Sequence, residues 1–136
     1  MDSCHPSMAT KLMHGWIKKG TNKPLQTTAS RTRINLIGAL NLNNLSAPVI
    51  ASYSIVDSES IADFLSQIRK YSGISGKINL VLDRARYHCS AIVKSTAKRL
   101  GIKLIYLPPY SPNLNPIERL WKVMNEYTRN NKFFPI

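Results

Sequence analysis

Two acidic side chains stand where ordered elements of the chain end or begin. Asp83 directly follows the apolar run INLVL at 78–82, and Glu118 opens an amphipathic segment. The loop that leads into Glu118 is punctuated by four prolines, which are Pro108, Pro109, Pro112 and Pro116. Hard cations such as Mg²⁺ prefer oxygen ligands and take few of them from the protein. The two carboxylates therefore indicate metal-dependent chemistry.

Each carboxylate also has a purely structural explanation. Asn115 is a favourable N-cap and Pro116 suits the first helical position, so Glu118 would fall at N3 and complete a capping box. Asp83 would be a turn residue at the end of a strand. The prolines fix φ and exclude helix and central strand over 107–115, which is stiffer than a cap requires. That stiffness favours a functional role for Glu118.

The chain is strongly basic. Its 136 residues include 19 Lys and Arg against 7 Asp and Glu, which gives a formal net charge of +12. A field of this sign attracts nucleic acid without sequence preference. No apolar run approaches the ~20 residues of a membrane span, and the first residues lack the features of a signal peptide. Cys4 and Cys89 are too few for a disulfide framework, so a soluble intracellular protein is expected.

Strands dominate the first half of the chain. Hydrophobic alternation at period two predicts three of them, at 12–18, 33–42 and 49–55. In the second strand, the apolar side chains that share one face are Ile34, Leu36, Leu40 and Leu42. An all-strand beginning of this kind predicts a sheet to which the later elements add.

Helices alternate with strands in the second half. The spacing over 60–71 predicts a helix that begins at a capping box of Ser60 and Asp63 and stops at Gly73. The later elements are strand 78–82, helix 89–100, strand 102–107 and helix 116–129. This order predicts an α/β fold with a mixed sheet flanked by helices. Asp83 would lie at the carboxyl end of its strand, where ligands of such sheets collect.

Two longer strings resemble a known family. LVLDRARYH at 80–88 and LIYLPPYSPNLNPIERLWKVMNEY at 104–127 are similar to signature blocks of DDE transposases, above all those of mariner-like bacterial insertion sequences. The 34 residues between Asp83 and Glu118 match the spacing of that group. Upstream, MDSCHPSMATKLMHGWIKKG and TASRTRINLIGALNL resemble the first block, which begins with Asp2. The resemblance implies a ribonuclease-H-like mixed sheet flanked by helices.

The resemblance also implies a two-metal site for phosphoryl transfer. Its catalytic and metal-binding residues would be Asp2, Asp83 and Glu118, with two Mg²⁺ ions, or Mn²⁺ in their place, as cofactors. Water would cut at the ends of the element, and the freed 3′-hydroxyl would attack target DNA. Basic side chains would position phosphates, and the candidates are Lys11, Lys18, Lys19, Arg31, Arg33, Arg84 and Arg86.

Two of these basic positions carry alternatives. Arg84 departs from the family pattern, in which a small or amide residue commonly follows the second aspartate. A guanidinium at this position would either contact phosphate or compete with the metal. Lys18 and Lys19 are equally well explained as the solvated end of a hairpin.

A zinc site is the remaining candidate for metal chemistry. Its ligands would be Cys4, His5, His88 and Cys89, which are suitable in type but lack the spacing typical of zinc sites. His88 also matches the second block of the family. It is therefore expected to support the loop that carries Asp83.

By this resemblance, residues 1–136 form a partial catalytic domain that lacks an N-terminal DNA-binding domain and most of its first, central strand. Three interpretations follow: the catalytic part of a transposase completed through a frameshift fusion, an inactive remnant that binds DNA through its charge, and an unrelated small basic nucleic-acid-binding protein. The first implies transposon-end and target DNA as partners and a homodimer on DNA. It also implies a cytoplasmic location at the nucleoid, without a membrane.

Overall fold

The computed structural model describes residues 1–135, with strands and helices in a mixed α/β order. The strands are β1 (Asp2–Cys4), β2 (Asn35–Asn41), β3 (Asn44–Tyr53), β4 (Ile78–Leu82) and β5 (Ile102–Tyr106). The helices are α1 (Ser58–Tyr71), α2 (Ala91–Arg99) and α3 (Ile117–Thr128), with short 3-10 helices at Arg86–Cys89 and Pro112–Leu114. Within residues 1–135, no helix is both long and apolar enough to cross a bilayer.

Two sheets meet at the first residue of the chain. Strands β1, β2 and β3 form an antiparallel sheet in that order, and Asp2 lies opposite Gly38. Strands β4 and β5 form a parallel pair. The α-ammonium of Met1 donates a hydrogen bond of 2.7 Å to the carbonyl of Val81 in β4. This contact sets the beginning of β1 beside β4.

The core lies between the sheets and helices α1 and α2. Its residues come from both sheets and both helices, and those with the least exposure are Ile37, Ile61, Phe64, Leu65, Leu82 and Val93. Burying a side chain of this size contributes about 1.5–3 kcal/mol relative to leaving it exposed. Helix α3 instead packs on β1 and β2, where Gly38 faces Trp121 and Ile117.

The apolar face identified in β2 from its sequence is not the face in the main core. Ile34 and Leu42 are exposed, whereas Ile37 is fully buried and Ala39 nearly so. Ile37 and Ala39 belong to the core cluster with the side chains of α1. The strand is covered on both faces, and a strand of that kind carries no clean alternation from which its core face can be identified.

The strand predicted at 12–18 is absent. These residues are exposed and have no regular backbone pairing in the described chain. The nearest pairing is a single bridge between Lys11 and Asn130. Leu12, Ile17 and above all Trp16 project into solvent. A strand needs a neighbour for its backbone groups, and alternation alone does not supply one.

Helix α1 begins earlier than its predicted capping box. Asp57 is the N-cap, and its side chain accepts a hydrogen bond of 2.9 Å from the backbone N–H of Ser60. The Ser60 hydroxyl in turn binds the backbone N–H of Asp57 at 2.8 Å. The box is therefore formed by Asp57 and Ser60, and not by Ser60 and Asp63. The predicted stop is confirmed, since Gly73 follows the C-cap with φ of +69°.

Arg69 ties the ends of α1, α2 and the approach to β4 together. Its guanidinium donates to the carbonyl of Leu100 at 2.8 and 2.6 Å. It also reaches the carbonyls of Ile74 and Gly76, each at 2.9 Å. These carbonyls lie in turns and helix ends, where the backbone supplies no partner of its own.

Arg69→Met should lower the free energy of unfolding by about 2–4 kcal/mol, because hydrogen bonds from a charged donor contribute about 1.5–3 kcal/mol each and several partners are lost together. Urea denaturation followed by circular dichroism measures this loss. Lys70→Met is the matched control, because the neighbouring Lys70 is exposed. An equal effect of both changes would contradict a specific role for Arg69.

Candidate active site

Asp83 follows the last residue of β4 and is fixed by two donors. Its Oδ1 accepts the backbone N–H of Ala85 at 2.8 Å and lies 2.7 Å from Nδ1 of His88. The turn role proposed for Asp83 is therefore real, but it uses only one carboxylate oxygen. Within residues 1–135, Oδ2 makes no hydrogen bond, which leaves it available to a ligand.

His88 is the buried support of this loop, as expected from the sequence. Its side chain is fully buried, and Tyr106 donates its hydroxyl to the His88 carbonyl at 2.9 Å. Burial lowers the pKa of His88 below 6.5, although Asp83 opposes this effect. The ring is consequently neutral at pH 7 and donates its Nδ1–H to Asp83. Its Nε2 is buried without a hydrogen-bond partner in the described chain.

Asp2 is oriented by helix α3 across the sheet. Its Oδ2 accepts the indole N–H of Trp121 at 3.2 Å. The side chain of Asn115 donates to the carbonyl of the preceding residue, Met1, at 3.2 Å. Burial raises the pKa of Asp2 and the charge of Asp83 raises it further, while hydrogen bonds from Ser3 and Trp121 oppose the change.

Glu118 lies in the first turn of α3 and is exposed. The helix has Pro116 as its N-cap and no side-chain cap, because Asn115 is used by Met1. The capping box predicted for Glu118 is therefore not formed. The loop before it contains a short 3-10 helix, and Tyr110 within it has φ of +57°.

The three carboxylates are near enough to interact through their charges, but they are too far apart to bind one metal ion together. Burial raises the pKa of Glu118, and the charges of Asp2 and Asp83 raise it further. Among residues 1–135, no three His, Cys, Asp or Glu side chains are close enough to hold an ion as they stand. The donor set nevertheless suits a hard divalent cation, which relieves repulsion among carboxylates and keeps several waters as ligands.

The predicted zinc ligands are engaged elsewhere. His88 binds Asp83, and Nδ1 of His5 lies 2.9 Å from the side-chain oxygen of Asn35. Cys89 is exposed. In the described part of the chain, Cys4, His5, His88 and Cys89 form no group able to bind a metal.

Of the predicted DNA-contacting residues, Arg84 lies at the carboxylates. It lines one depression of about 270 Å³ together with Asp83, Glu118 and the proline loop. Its Nε donates to the carbonyl of Leu107 at 3.4 Å, and no ion pair joins it to Asp83 within the described chain. Arg86 follows two residues later and is exposed. The remaining candidates are exposed on the long segment before β2, outside that depression; they are Lys11, Lys18, Lys19, Arg31 and Arg33.

Asn115 and Trp121 are site residues that the sequence did not reveal. Trp121 was expected to pack in the core, and it is indeed only 4% exposed. The available signal was chemical, because a buried indole N–H needs an acceptor and the chain has few acids to provide one. The side-chain amide of Asn115 was assigned to the helix cap and instead serves the strand that carries Asp2.

Sequence relatives identify the family. A profile of the family described as DDE superfamily endonuclease matches residues 1–135. The uncharacterized protein y4pE/y4sA of Sinorhizobium fredii is 32% identical over 78 residues, covering 57% of this chain and 56% of that protein. The insertion element IS630 uncharacterized 39 kDa protein of Shigella sonnei is 28% identical over 127 residues, covering 90% of this chain. The chain belongs to the DDE superfamily endonucleases.

Solved structures with the same fold are complexes and domains of the Mos1 transposase. The Mos1 transposase paired-end complex with left transposon end has a TM-score of 0.69 at 16% identity, covering 98% of this chain and 42% of that one. The Mos1 mariner paired-end complex with Mn has 0.68 at 16%, covering 99% and 43%. The Mos1 catalytic domain with Raltegravir and Mg has 0.57 at 16%, covering 74% and 56%. The predicted ribonuclease-H-like fold is confirmed.

The chain spans only part of the curated relatives. It covers 56% of the Sinorhizobium protein and 36% of the Shigella protein.

Gly38→Ala should disturb the seat of α3. A Cβ at this position would lie 2.6 Å from Cη2 and 2.8 Å from Cζ2 of Trp121, so the indole would have to move. Overpacking of this kind destabilises by about 1–3 kcal/mol. Gly76→Ala is the matched control, because its Cβ would meet nothing within 4 Å. A urea midpoint equal to that of the control would show that the contact is not tight.

The repulsion among the carboxylates can be measured directly. Asp83→Asn removes a charge that raises the pKa of both Asp2 and Glu118, so both carboxyl pKa values should fall toward their ordinary 3.8 and 4.5. In the parent protein, a carboxyl pKa that is raised in the native state lowers the free energy of unfolding as the pH rises through that pKa. In the variant this loss of stability should be smaller, because both groups deprotonate more easily. Carboxyl carbon NMR titration measures both groups.

Glu126→Gln controls for the loss of one negative charge on the protein. Glu126 is an exposed carboxylate of α3 that contributes to neither shift. Its replacement should leave the pKa values of Asp2 and Glu118 unchanged. If Asp83→Asn also leaves them unchanged, the three carboxylates do not form one electrostatic group.

Proposed function

We propose that this chain is the catalytic portion of an insertion-sequence transposase, and that it cleaves DNA strands and transfers them with divalent metal ions. The observation that carries the proposal is the convergence of three carboxylates from three separate elements on one electrostatic neighbourhood. Burial raises the pKa values of Asp2 and Glu118, the charge of Asp83 raises both further, and each carboxylate is held by a different part of the fold. Membership of the DDE superfamily endonucleases supports the use of a divalent metal.

Asp2, Asp83 and Glu118 would hold the metal ions. Mg²⁺ is the cation that we favour, with Mn²⁺ as an alternative, and two ions would be bound. When bound, the ions would supply the positive charge that activates the nucleophile and stabilises the leaving oxygen. Related structures were determined with Mn and with Mg.

The surrounding residues would prepare these carboxylates. Neutral His88 fixes Oδ1 of Asp83 and leaves Oδ2 for a ligand. Trp121 orients Asp2, and Asn115 anchors the backbone before it. Preorganised ligands of this kind avoid the reorganisation that a mobile carboxylate would require. Arg84 would contact a phosphate beside the site, because its Nε donates to the Leu107 carbonyl and no ion pair with Asp83 occupies it within the described residues.

Recognition of transposon ends would require a further part of the protein. The chain spans 36% of the Shigella insertion-element protein. We infer that residues 1–136 are a partial catalytic domain, completed by an N-terminal portion through a frameshift fusion. A homodimer on DNA at the nucleoid, with transposon ends and target as substrates, is part of this proposal.

An inactive remnant is the second candidate. It is favoured by one observation, namely that no three ligating side chains among residues 1–135 approach closely enough to hold an ion. A remnant would keep the basic surface and its non-specific affinity for DNA, but it would not bind divalent ions at the carboxylates.

A nicking assay separates the two candidates. The chain, alone and fused in frame to the segment encoded upstream, is incubated with supercoiled plasmid and Mg²⁺ or Mn²⁺. Asp83→Asn and Glu118→Gln should each reduce nicking by about a hundredfold or more. Each change removes a metal ligand, and bound metal ions supply several kcal/mol of transition-state stabilisation. Glu126→Gln, on the same helix as Glu118, should nick like the parent protein.

Two results would overturn the proposed activity. Nicking that survives in Asp83→Asn or Glu118→Gln would place the chemistry elsewhere. A fusion that folds but neither nicks DNA nor binds Mn²⁺ would identify the chain as a remnant.

A further inference from the structure

Four lysines surround an open depression between α2 and β5. They are Lys77, Lys94, Lys98 and Lys103, here called the α2 lysine patch, and the depression has a volume of about 570 Å³. Its floor is apolar and includes Ala97, Ile102 and Leu104. None of these lysines was among the basic residues singled out from the sequence, and none lines the depression that contains Asp83 and Glu118.

The fold brings these lysines together from three elements. Lys94 and Lys98 are four residues apart on α2 and therefore share a face of the helix. Lys77 immediately precedes β4, and Lys103 is the second residue of β5, paired with Asn79 of β4. All four side chains are exposed. Residues distant in the chain thus form one cationic surface.

The patch has no counter-charge. No Asp or Glu lines the depression, and none of its lysines forms an ion pair within residues 1–135. Four ammonium groups in one place repel each other, and an anion with several charges would relieve that repulsion. The charge therefore specifies a polyanionic ligand.

Protection of a sheet edge explains only part of this arrangement. β5 has a partner on one side alone, and lysines commonly block pairing at such an edge. That role accounts for Lys103. It does not account for Lys94 and Lys98, which lie on a helix, or for Lys77, which lies before β4 and outside the strand.

The patch is distant from the carboxylates. Lys77 and Asp83 stand before and after β4, and six residues of extended chain span roughly 20 Å. Lys103 is paired with Asn79, four residues before Asp83, so the lysines lie roughly 13 to 20 Å from Asp83 along the strands, the length of about four to six base pairs of duplex. The patch is therefore a separate contact, beyond the reach of a single nucleotide at Glu118.

We propose that the α2 lysine patch binds the phosphodiester backbone of duplex DNA. The choice of DNA among polyanions rests on the proposed function. Lys94 and Lys98 are about 6 Å apart along the helix axis, and one strand of duplex DNA carries a phosphate every ~3.4 Å along its axis, so the two ammonium groups would meet phosphates one or two nucleotides apart. Lysine ammonium groups contact phosphates as point charges and read no sequence.

The test is DNA binding in EDTA, where cleavage does not contribute. Fluorescence anisotropy with a labelled duplex of about 20 bp is measured over a range of NaCl concentrations, because each lost phosphate contact lowers the slope of log K against log salt by about 0.9. Lys94→Gln with Lys98→Gln should lower the slope by about 2 and weaken binding at least about tenfold at low salt. Glutamine preserves helix propensity.

Lys77→Gln with Lys103→Gln is an independent variant and should have a similar effect. Lys23→Gln with Lys70→Gln is the matched control, since it removes the same charge from exposed positions outside the patch. Equal slopes for the control and both patch variants would overturn the proposal. Displacement of the duplex by a polyglutamate peptide of equal charge at lower concentration would also overturn it, in favour of an acidic protein partner.

This binding test is independent of the nicking test. A patch that binds DNA in a chain that never nicks would leave the patch proposal standing and remove the catalytic one. A chain that nicks, but whose patch variants bind DNA normally, would do the reverse.

Discussion

The contact between Trp121 and Gly38 is the constraint on which the site depends. The indole lies so close to the strand that no side chain could be added at position 38. The same indole holds Asp2, and the same helix carries Glu118 one turn earlier. One packing contact therefore sets the distance between two carboxylates that come from opposite ends of the chain. Asp83 is positioned by different contacts, because it follows β4 and is held by the buried His88.

In this arrangement, electrostatic repulsion among the carboxylates is opposed by the packing of the residues around them. Burial raises the pKa values of Asp2 and Glu118, and the charge of Asp83 raises both further, so the native state holds together charges that would separate if they were free. Buried contacts around them supply the opposing stability: Trp121 on the sheet, His88 beneath its loop, and Asn115 on the backbone of Met1. Trp121, Asn115 and neutral His88 carry no charge, so none of them neutralises the carboxylates that it supports. The negative potential is preserved for a cation.

The sequence predicted the elements better than their contacts. The helix ahead of Gly73, the strand before Asp83 and the helix bearing Glu118 all follow from periodicity and from residues with strong backbone preferences. The strand at 12–18 was wrong because alternation reports a suitable pattern and not the presence of a neighbour. The apolar face of β2 was misjudged because helices cover both of its sides. The capping box of α1 lies three residues earlier than predicted because Asp57 is the N-cap, and the box of Glu118 is not formed because Asn115 binds the distant carbonyl of Met1.

Asp83 and Glu118 were singled out from sequence because acids are scarce and these two stand at the ends of ordered elements, whereas Asp2 was assigned only through the family resemblance, and the role of all three stays a prediction. Their supports were not found, because hydrogen bonds such as that from Trp121 to Asp2 join residues more than a hundred positions apart. Local patterns contain no information about such pairs. The lysines of α2 and β5 escaped notice for the same reason, since they are unremarkable in the chain and adjacent only in space.

The two tryptophans of the chain occupy opposite environments. Trp16 is fully exposed on the segment before β2, whereas Trp121 is buried with its indole N–H on a carboxylate. The indole at the site therefore emits from an apolar, negatively charged surrounding and the other emits from water. With Trp16 replaced by phenylalanine, the emission maximum of the protein becomes an optical gauge of whether helix α3 is seated on the sheet.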